Sequence, residues 1–233
     1  MKKYSLLCLL GFSMVSACAA DQSAKQVPTI TAHAGAMNTK ANTLDSVKAC
    51  IAAAKTGNIE VDVRFLDDGT PVLGHDEMHK SKGAALEDCL ALLAQAQAGI
   101  NLDLKERRNI PGVVALVRQY GLEERAFFTG VGLGEISAVK GSGLTYYLNC
   151  APKAFGLDAK KLVRKAADCG AVGLNIHYRL CTQTLVDKAH AAGLAVSVWT
   201  VDNAPAMQKM IRYGVDNITT RRPDVCEELL HAD

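Results

Sequence analysis

His33, Glu60, Asp62, His75, Asp103 and Lys105 are the residues whose types and spacing suit chemistry on an anionic group. Glu60 and Asp62 stand two apart within the apolar run Ile59, Val61 and Val63. In an extended strand alternate side chains share a face, so both carboxylates point one way and the apolar residues the other. Asp103 and Lys105 repeat the pattern around Leu104. Inward-facing carboxylates are costly unless paired or bound to a cation. Three of them from two strands suit a hard divalent ion with oxygen ligands, Ca²⁺ or Mg²⁺. No Cys or His cluster has zinc spacing. His33 and His75, the latter beside Asp76, would supply a general base and a general acid, with the assignment between them open. Lys105 would hold an anionic group beside the ion. Such a set suits in-line displacement at phosphorus.

The elements that must position these residues follow from the pattern along the chain. Strands are predicted over 27–33, 59–63, 100–104, 125–129, 144–148, 172–176, 194–200 and 215–219. A short extended piece, 71–74, follows the turn Asp67-Asp68-Gly69. Helices are predicted over 43–55, 84–97, 111–120, 133–140, 157–168, 182–192, 204–213 and 223–230, the first capped by Asn42 or Thr43. Several close on a glycine (Gly121, Gly170, Gly193, Gly214), which a left-handed C-terminal cap favours. Leaving out 71–74, the units run β-then-α eight times. The expected fold is therefore α/β, a (β/α)8 TIM barrel of one domain over 28–233, rather than an open doubly wound sheet. No GxGxxG or Walker A loop follows the first strand. In a barrel the site lies at the C-terminal strand ends, where the six residues fall. Trp199, the only Trp, lies there too, as a pocket wall or a core aromatic; Asn175 and His177 share one face of their strand.

Hydrophobic residues make up 49% of the chain and aromatics only 5%, so the core is built from aliphatics. Lys2, Lys3 and the apolar stretch Leu6 to Val15 read as an export leader over 1–17, too short to span a bilayer in the mature protein. Val15-Ser16-Ala17-Cys18 resembles a bacterial lipobox, which would make Cys18 the lipidated first residue of a periplasmic or outer-membrane lipoprotein, its only tie to a membrane. The alternative is plain cleavage after Ala17 to Ala20 and a soluble exported protein. Residues 18–27 read as a tether. Without Lys2 and Lys3 the formal charge of +2 falls to about zero, and no basic stripe is present, which argues against a nucleic-acid partner. Cys50, Cys89, Cys150, Cys169, Cys181 and Cys226 are either disulfide partners in an exported protein or small buried residues.

Taken in order, the motifs resemble one family. His33-Ala34-Gly35, Asn42-Thr43-Leu44, Ile59-Glu60-Val61-Asp62-Val63, Asp68-Gly69-Thr70-Pro71-Val72 and His75-Asp76 resemble the N-terminal signature of glycerophosphodiester phosphodiesterases. Asn101 to Lys105 resembles the third-strand motif, and Val198 to Asn203 and Gly214 to Ile218 the closing motifs. The resemblance implies a barrel of the PLC-like phosphodiesterase type. It also implies Glu60, Asp62 and Asp103 as metal ligands, His33 and His75 as acid–base pair, and Lys105 on the phosphate. Trp199 and Asn175 are further candidates for substrate contact. The substrate it implies is a small phosphodiester, split to an alcohol and a phosphomonoester such as sn-glycerol 3-phosphate. There are departures. The family usually has Arg at the place of Ala34, Glu at Ala41 and Glu at Asp103. The stretch from His75 to Asp103 is short for the inserted subdomain many members carry, so a more open pocket and a bulkier alcohol, such as a lysolipid, are expected. Two other readings stand beside this one: a lysophospholipase D-like enzyme, and a binding lipoprotein that has lost turnover. Arg221 or Arg222 would replace the missing Arg.

Overall fold

The computed structural model describes residues 27–53, 57–77, 83–150 and 158–231. The leader, Cys18, most of the tether and His79 lie outside them. Among the described residues there are nine strands: β1 (Thr29–Ala32), β2 (Asn58–Phe65), β3 (Pro71–Leu73), β4 (Gly99–Leu104), β5 (Ala126–Val131), β6 (Thr145–Cys150), β7 (Gly173–His177), β8 (Ala195–Trp199) and β9 (Asn217–Thr220). Eight are parallel and hydrogen-bonded in sequence from β1 and β2 round to β9, and β9 pairs with β1, so the sheet closes into a barrel. The ninth, β3, is a hairpin partner antiparallel to β2, with Val63 opposite Leu73. That confirms the (β/α)8 architecture and places the short piece as an appendage.

The described helices are α1 (Leu44–Ala53), α2 (Leu86–Ala94), α3 (Ile110–Gln119), α4 (Ile136–Val139), α5 (Ala159–Cys169), α6 (Gln183–Ala191), α7 (Ala204–Tyr213) and α8 (Pro223–Leu230). Four of them start on side-chain caps: Asn109 accepts from the Gly112 amide, Asp158 from Lys160, Thr182 from Leu185 and Asn203 from Ala206. Gly170 and Gly214 close α5 and α7 in the left-handed conformation, φ 81° and 74°. Thr43, not Asn42, caps α1, its hydroxyl accepting from the Ser46 amide. The helix expected over 133–140 is shorter than its pattern. Leu133–Glu135 is a 3₁₀ turn, because the Glu135 carboxylate bonds back to the Gly132 amide at 2.8 Å.

Two layers result. Strand residues such as Ile59, Val61, Ile100, Leu102, Phe128, Leu148, Leu174 and Val196 face outward and pack under the helices, with Val47, Leu90, Val113 and Leu185 from the helix side. Inside the barrel the buried residues are polar: Thr31, Glu60, Asp62, Asn101, Thr129, Asn175, Ser197, Asn217 and Thr219. At its base they satisfy one another, Thr31 donating to Asn217 at 2.7 Å and Asn217 to Ser197 at 2.9 Å. All six described cysteines are free; five are buried and Cys169 is half-buried.

Candidate active site

Strand parity delivers the site. β2 and β4 run in register with Asp62 opposite Asp103 and Glu60 opposite Asn101, so the inward residues of both strands meet over the lumen. Glu60, Asp62 and Asp103 each offer an oxygen within 4.8 Å of the others. Gly130 lets β5 close on them: it has φ 74°, and a Cβ there would lie 2.7 Å from Asp103 Oδ1. The first loop reaches in from the other side. The Ala34 amide donates to Glu60 Oε2 at 2.7 Å. Asn42, left-handed at φ 57°, grips Asp62 twice: its Nδ2 donates to Oδ2 at 2.7 Å and its Oδ1 accepts from the Asp62 amide at 3.0 Å. Thr129 bridges Asn101 and Asp103.

The electrostatics of the three carboxylates differ. Burial, reinforced by the charges of Asp62 and Asp103, pushes the Glu60 carboxyl well above the usual range. Burial acts on Asp62 in the same direction, but hydrogen bonds from Lys105 and Asn42 outweigh it and hold Asp62 below its ordinary value. Lys105 Nζ lies 2.8 Å from Asp62 Oδ1 and also bonds Asp103. Despite its burial, these carboxylates raise the Lys105 ammonium above its normal value. The donor set fits a hard divalent cation. It is all oxygen, and it contains a buried carboxylate, Glu60, that accepts from the Ala34 amide.

These residues line a cavity of about 540 Å³, inside the ~300–1,000 Å³ typical of small-molecule sites. His33, Glu60, Asp62, His75, Asp103, Lys105, Asn175 and Trp199 all border it, so these eight candidates are brought to one place, while His177 and Arg222 are not among its lining. His33 Nδ1 lies 3.0 Å from the Ala34 carbonyl, which fixes Nδ1 as the proton carrier and leaves Nε2 as the basic nitrogen. Burial lowers the His33 pKa; the bond to Ala34 opposes this and the positive charge of Arg221 adds to it. His75 is exposed, follows β3, and has Nδ1 3.0 Å from Asp76 Oδ1. Arg64 donates to its carbonyl and steadies the loop. Asn175 donates to Asn149 at 3.1 Å, while its Oδ1 and the Trp199 Nε1 are buried without a partner among the described residues.

Sequence reasoning missed some of the lining. Arg107, Glu135, Thr129 and Asn149 border the cavity, and Arg107 pairs with Glu135 at 2.6 Å. Of the two C-terminal arginines, Arg221 borders it and Arg222 does not; Arg222 is paired with Asp224 at 2.8 Å.

Comparison with known proteins gives the same direction. Residues 148–225 match the model of the glycerophosphoryl diester phosphodiesterase family. No curated protein matches the sequence. Similar solved structures include a glycerophosphodiester phosphodiesterase from Parabacteroides distasonis, at 21% identity, TM-score 0.71, covering 89% of this chain and 98% of that one. A second, from Agrobacterium tumefaciens, is 20% identical with TM-score 0.70, covering 86% and 99%. A phosphodiesterase from Oleispira antarctica, solved with the product sn-glycerol-3-phosphate, is 19% identical with TM-score 0.74, covering 88% and 98%. The chain thus resembles this family in its motifs and over its C-terminal third, and shares the fold over nearly its whole described length.

Proposed function

We propose that the chain is a divergent member of the glycerophosphodiester phosphodiesterase family, a divalent-metal-dependent phosphoric diester hydrolase. The observation that carries this reading is the convergence of three carboxylates and two histidines in one cavity. Glu60, Asp62 and Asp103 would hold Ca²⁺ or Mg²⁺, which when bound draws charge from the phosphoryl oxygens. His33, kept neutral by burial and with Nε2 basic, takes the proton of the attacking hydroxyl or water. His75, oriented by Asp76, returns a proton to the leaving alcohol. Lys105 has three donors, two of which serve Asp62 and Asp103, so one is left for a phosphate oxygen. Asn175 and Trp199 offer an acceptor and a donor for substrate hydroxyls.

Arg221 is our choice for the phosphate clamp that Ala34 does not supply. The other cations of the cavity are more heavily engaged. Lys105 is held by two carboxylates, and Arg107 by Glu135 and the carbonyls of Leu104 and Gly130. The Arg221 side chain bonds Asp202 through Nη1 at 2.8 Å, which braces the guanidinium and leaves other donors for an anion. Its field already reaches His33.

Phosphorus NMR of glycerophosphocholine incubated with protein and Ca²⁺ or Mg²⁺ tests the reading: sn-glycerol 3-phosphate should accumulate. Tight binding of the diester without cleavage under either ion would favour the non-catalytic alternative. The leader pattern supports export with Cys18 as the lipidated residue, and mass spectrometry of the mature N-terminus tests that.

A further inference from the structure

Arg221 and Arg222 join β9 to α8 at the barrel mouth, and the backbone around Arg221 is tied on three sides. The His33 amide donates to the Thr220 carbonyl at 2.8 Å, so the histidine and the arginine stand on hydrogen-bonded neighbouring chain. The Met37 amide donates to the Arg221 carbonyl at 3.3 Å. The third tie is a side chain. Asp202, in the loop between β8 and α7, accepts through Oδ1 from the Arg221 amide at 2.8 Å and from the Thr220 hydroxyl at 3.3 Å. Through Oδ2 it accepts from Arg221 Nη1 at 2.8 Å. One carboxylate thus holds the backbone of Arg221 with one oxygen and its guanidinium with the other. Asp202 itself does not border the cavity, whereas Arg221 does.

As a stabilising contact the pair is poor. The Arg221 and Asp202 side chains are 49% and 38% exposed, and water and salt screen such an ion pair. As a positioning contact it is apt. An unbraced arginine has several side-chain torsions to order when an anion arrives, and that ordering weakens binding. We propose that Asp202 is a positioning residue, which orders the Arg221 guanidinium at the cavity edge before the phosphate arrives. The proposal rests on the phosphodiesterase reading above, with Arg221 as its clamp. Two effects of the carboxylate oppose each other. Its charge offsets that of Arg221 and loosens an anion, while its bond orders the guanidinium and tightens one. The charge acts at an exposed rim, where screening is strongest, so ordering prevails.

Asp202→Asn separates the two effects. Asparagine keeps an acceptor oxygen for the Arg221 amide and the Thr220 hydroxyl, but turns an NH2 group toward the guanidinium. Titration calorimetry of sn-glycerol 3-phosphate with Mg²⁺ present should show Kd raised roughly two- to tenfold, the range for a side chain that must be ordered on binding. With glycerophosphocholine as substrate KM should rise by a similar factor, more than kcat falls. In an Arg221→Met background the same substitution should loosen sn-glycerol 3-phosphate no further, because the two residues act as one unit. An unchanged or lower Kd in Asp202→Asn, or equal loosening with Arg221 present and absent, would overturn the positioning role. So would an Arg221→Met protein that binds sn-glycerol 3-phosphate as tightly as wild type, or a wild-type protein that does not bind it. If no diester is hydrolysed while the binding pattern holds, the phosphodiesterase reading fails and Asp202 and Arg221 stand as a positioned anion site.

Discussion

Lys105 Nζ lies 2.8 Å from Asp62 Oδ1, and the ammonium serves Asp103 as well. It is a built-in counter-ion for two of the three carboxylates. Glu60 is left with the Ala34 amide, and its carboxyl is pushed up by burial first and by the two aspartates next. A cation therefore has to ionise Glu60 as it binds. Metal affinity should rise with pH, by up to about tenfold per unit while Glu60 titrates, with release of a proton. Titration calorimetry in buffers of different ionisation enthalpy measures this. Glu60→Gln should weaken binding and remove the proton release; an affinity independent of pH would contradict the assignment.

The same residue sets a stability trend in metal-free protein. A carboxyl raised on folding contributes stability at low pH that is lost as pH climbs past its unfolded value toward its folded one. Metal-free Glu60→Gln should therefore be the more stable protein at neutral pH, by roughly the 1–3 kcal/mol of an unmet buried polar group. Added Ca²⁺ or Mg²⁺ should reverse the order. Thermal melts with and without EDTA decide it.

The two histidines should separate in their pH behaviour. His33→Ala and His75→Ala should each cost ~10²–10⁴-fold in turnover while the fold survives. Because burial depresses the His33 pKa, the acid limb of kcat/KM should fall below the ordinary imidazole value of 6.5. Near-wild-type turnover of either variant would remove that residue from the mechanism.

Arg221→Met should raise KM for glycerophosphocholine by about 10–100-fold, the range for a lost charge-assisted bond. It should also move the acid limb upward, since Arg221 lowers the His33 pKa. Arg221→Lys should recover part of KM. Arg222→Met, outside the cavity, should change neither. Ala34→Arg alone places a second guanidinium at a buried position (Ala34 is 5% exposed), so it should cost stability, and its effect on KM should be greater in an Arg221→Met background.

Much of this was legible in the chain because strand alternation is a local rule. The spacing of Glu60, Asp62, Asp103 and Lys105 fixes which face each takes, and the β-then-α rhythm fixes that those faces converge. What was illegible depends on tertiary closure. Arg107 and Glu135 are 28 residues apart and meet only when β4 and β5 pair. Asn42 has the composition of a helix cap, but its left-handed backbone turns the amide onto Asp62, and Thr43 takes over the cap. Neutral lining residues such as Thr129 and Asn149 carry no signal of their own.

The most direct measurement of the central claim is hydrolysis of bis(p-nitrophenyl) phosphate by EDTA-treated protein as Ca²⁺ or Mg²⁺ is added back, for wild type and Asp62→Asn. The account predicts no rate without the ion, saturable recovery with it, and a weakened or absent recovery in Asp62→Asn. Equal rates with and without EDTA, or an unchanged ion dependence in Asp62→Asn, would contradict it.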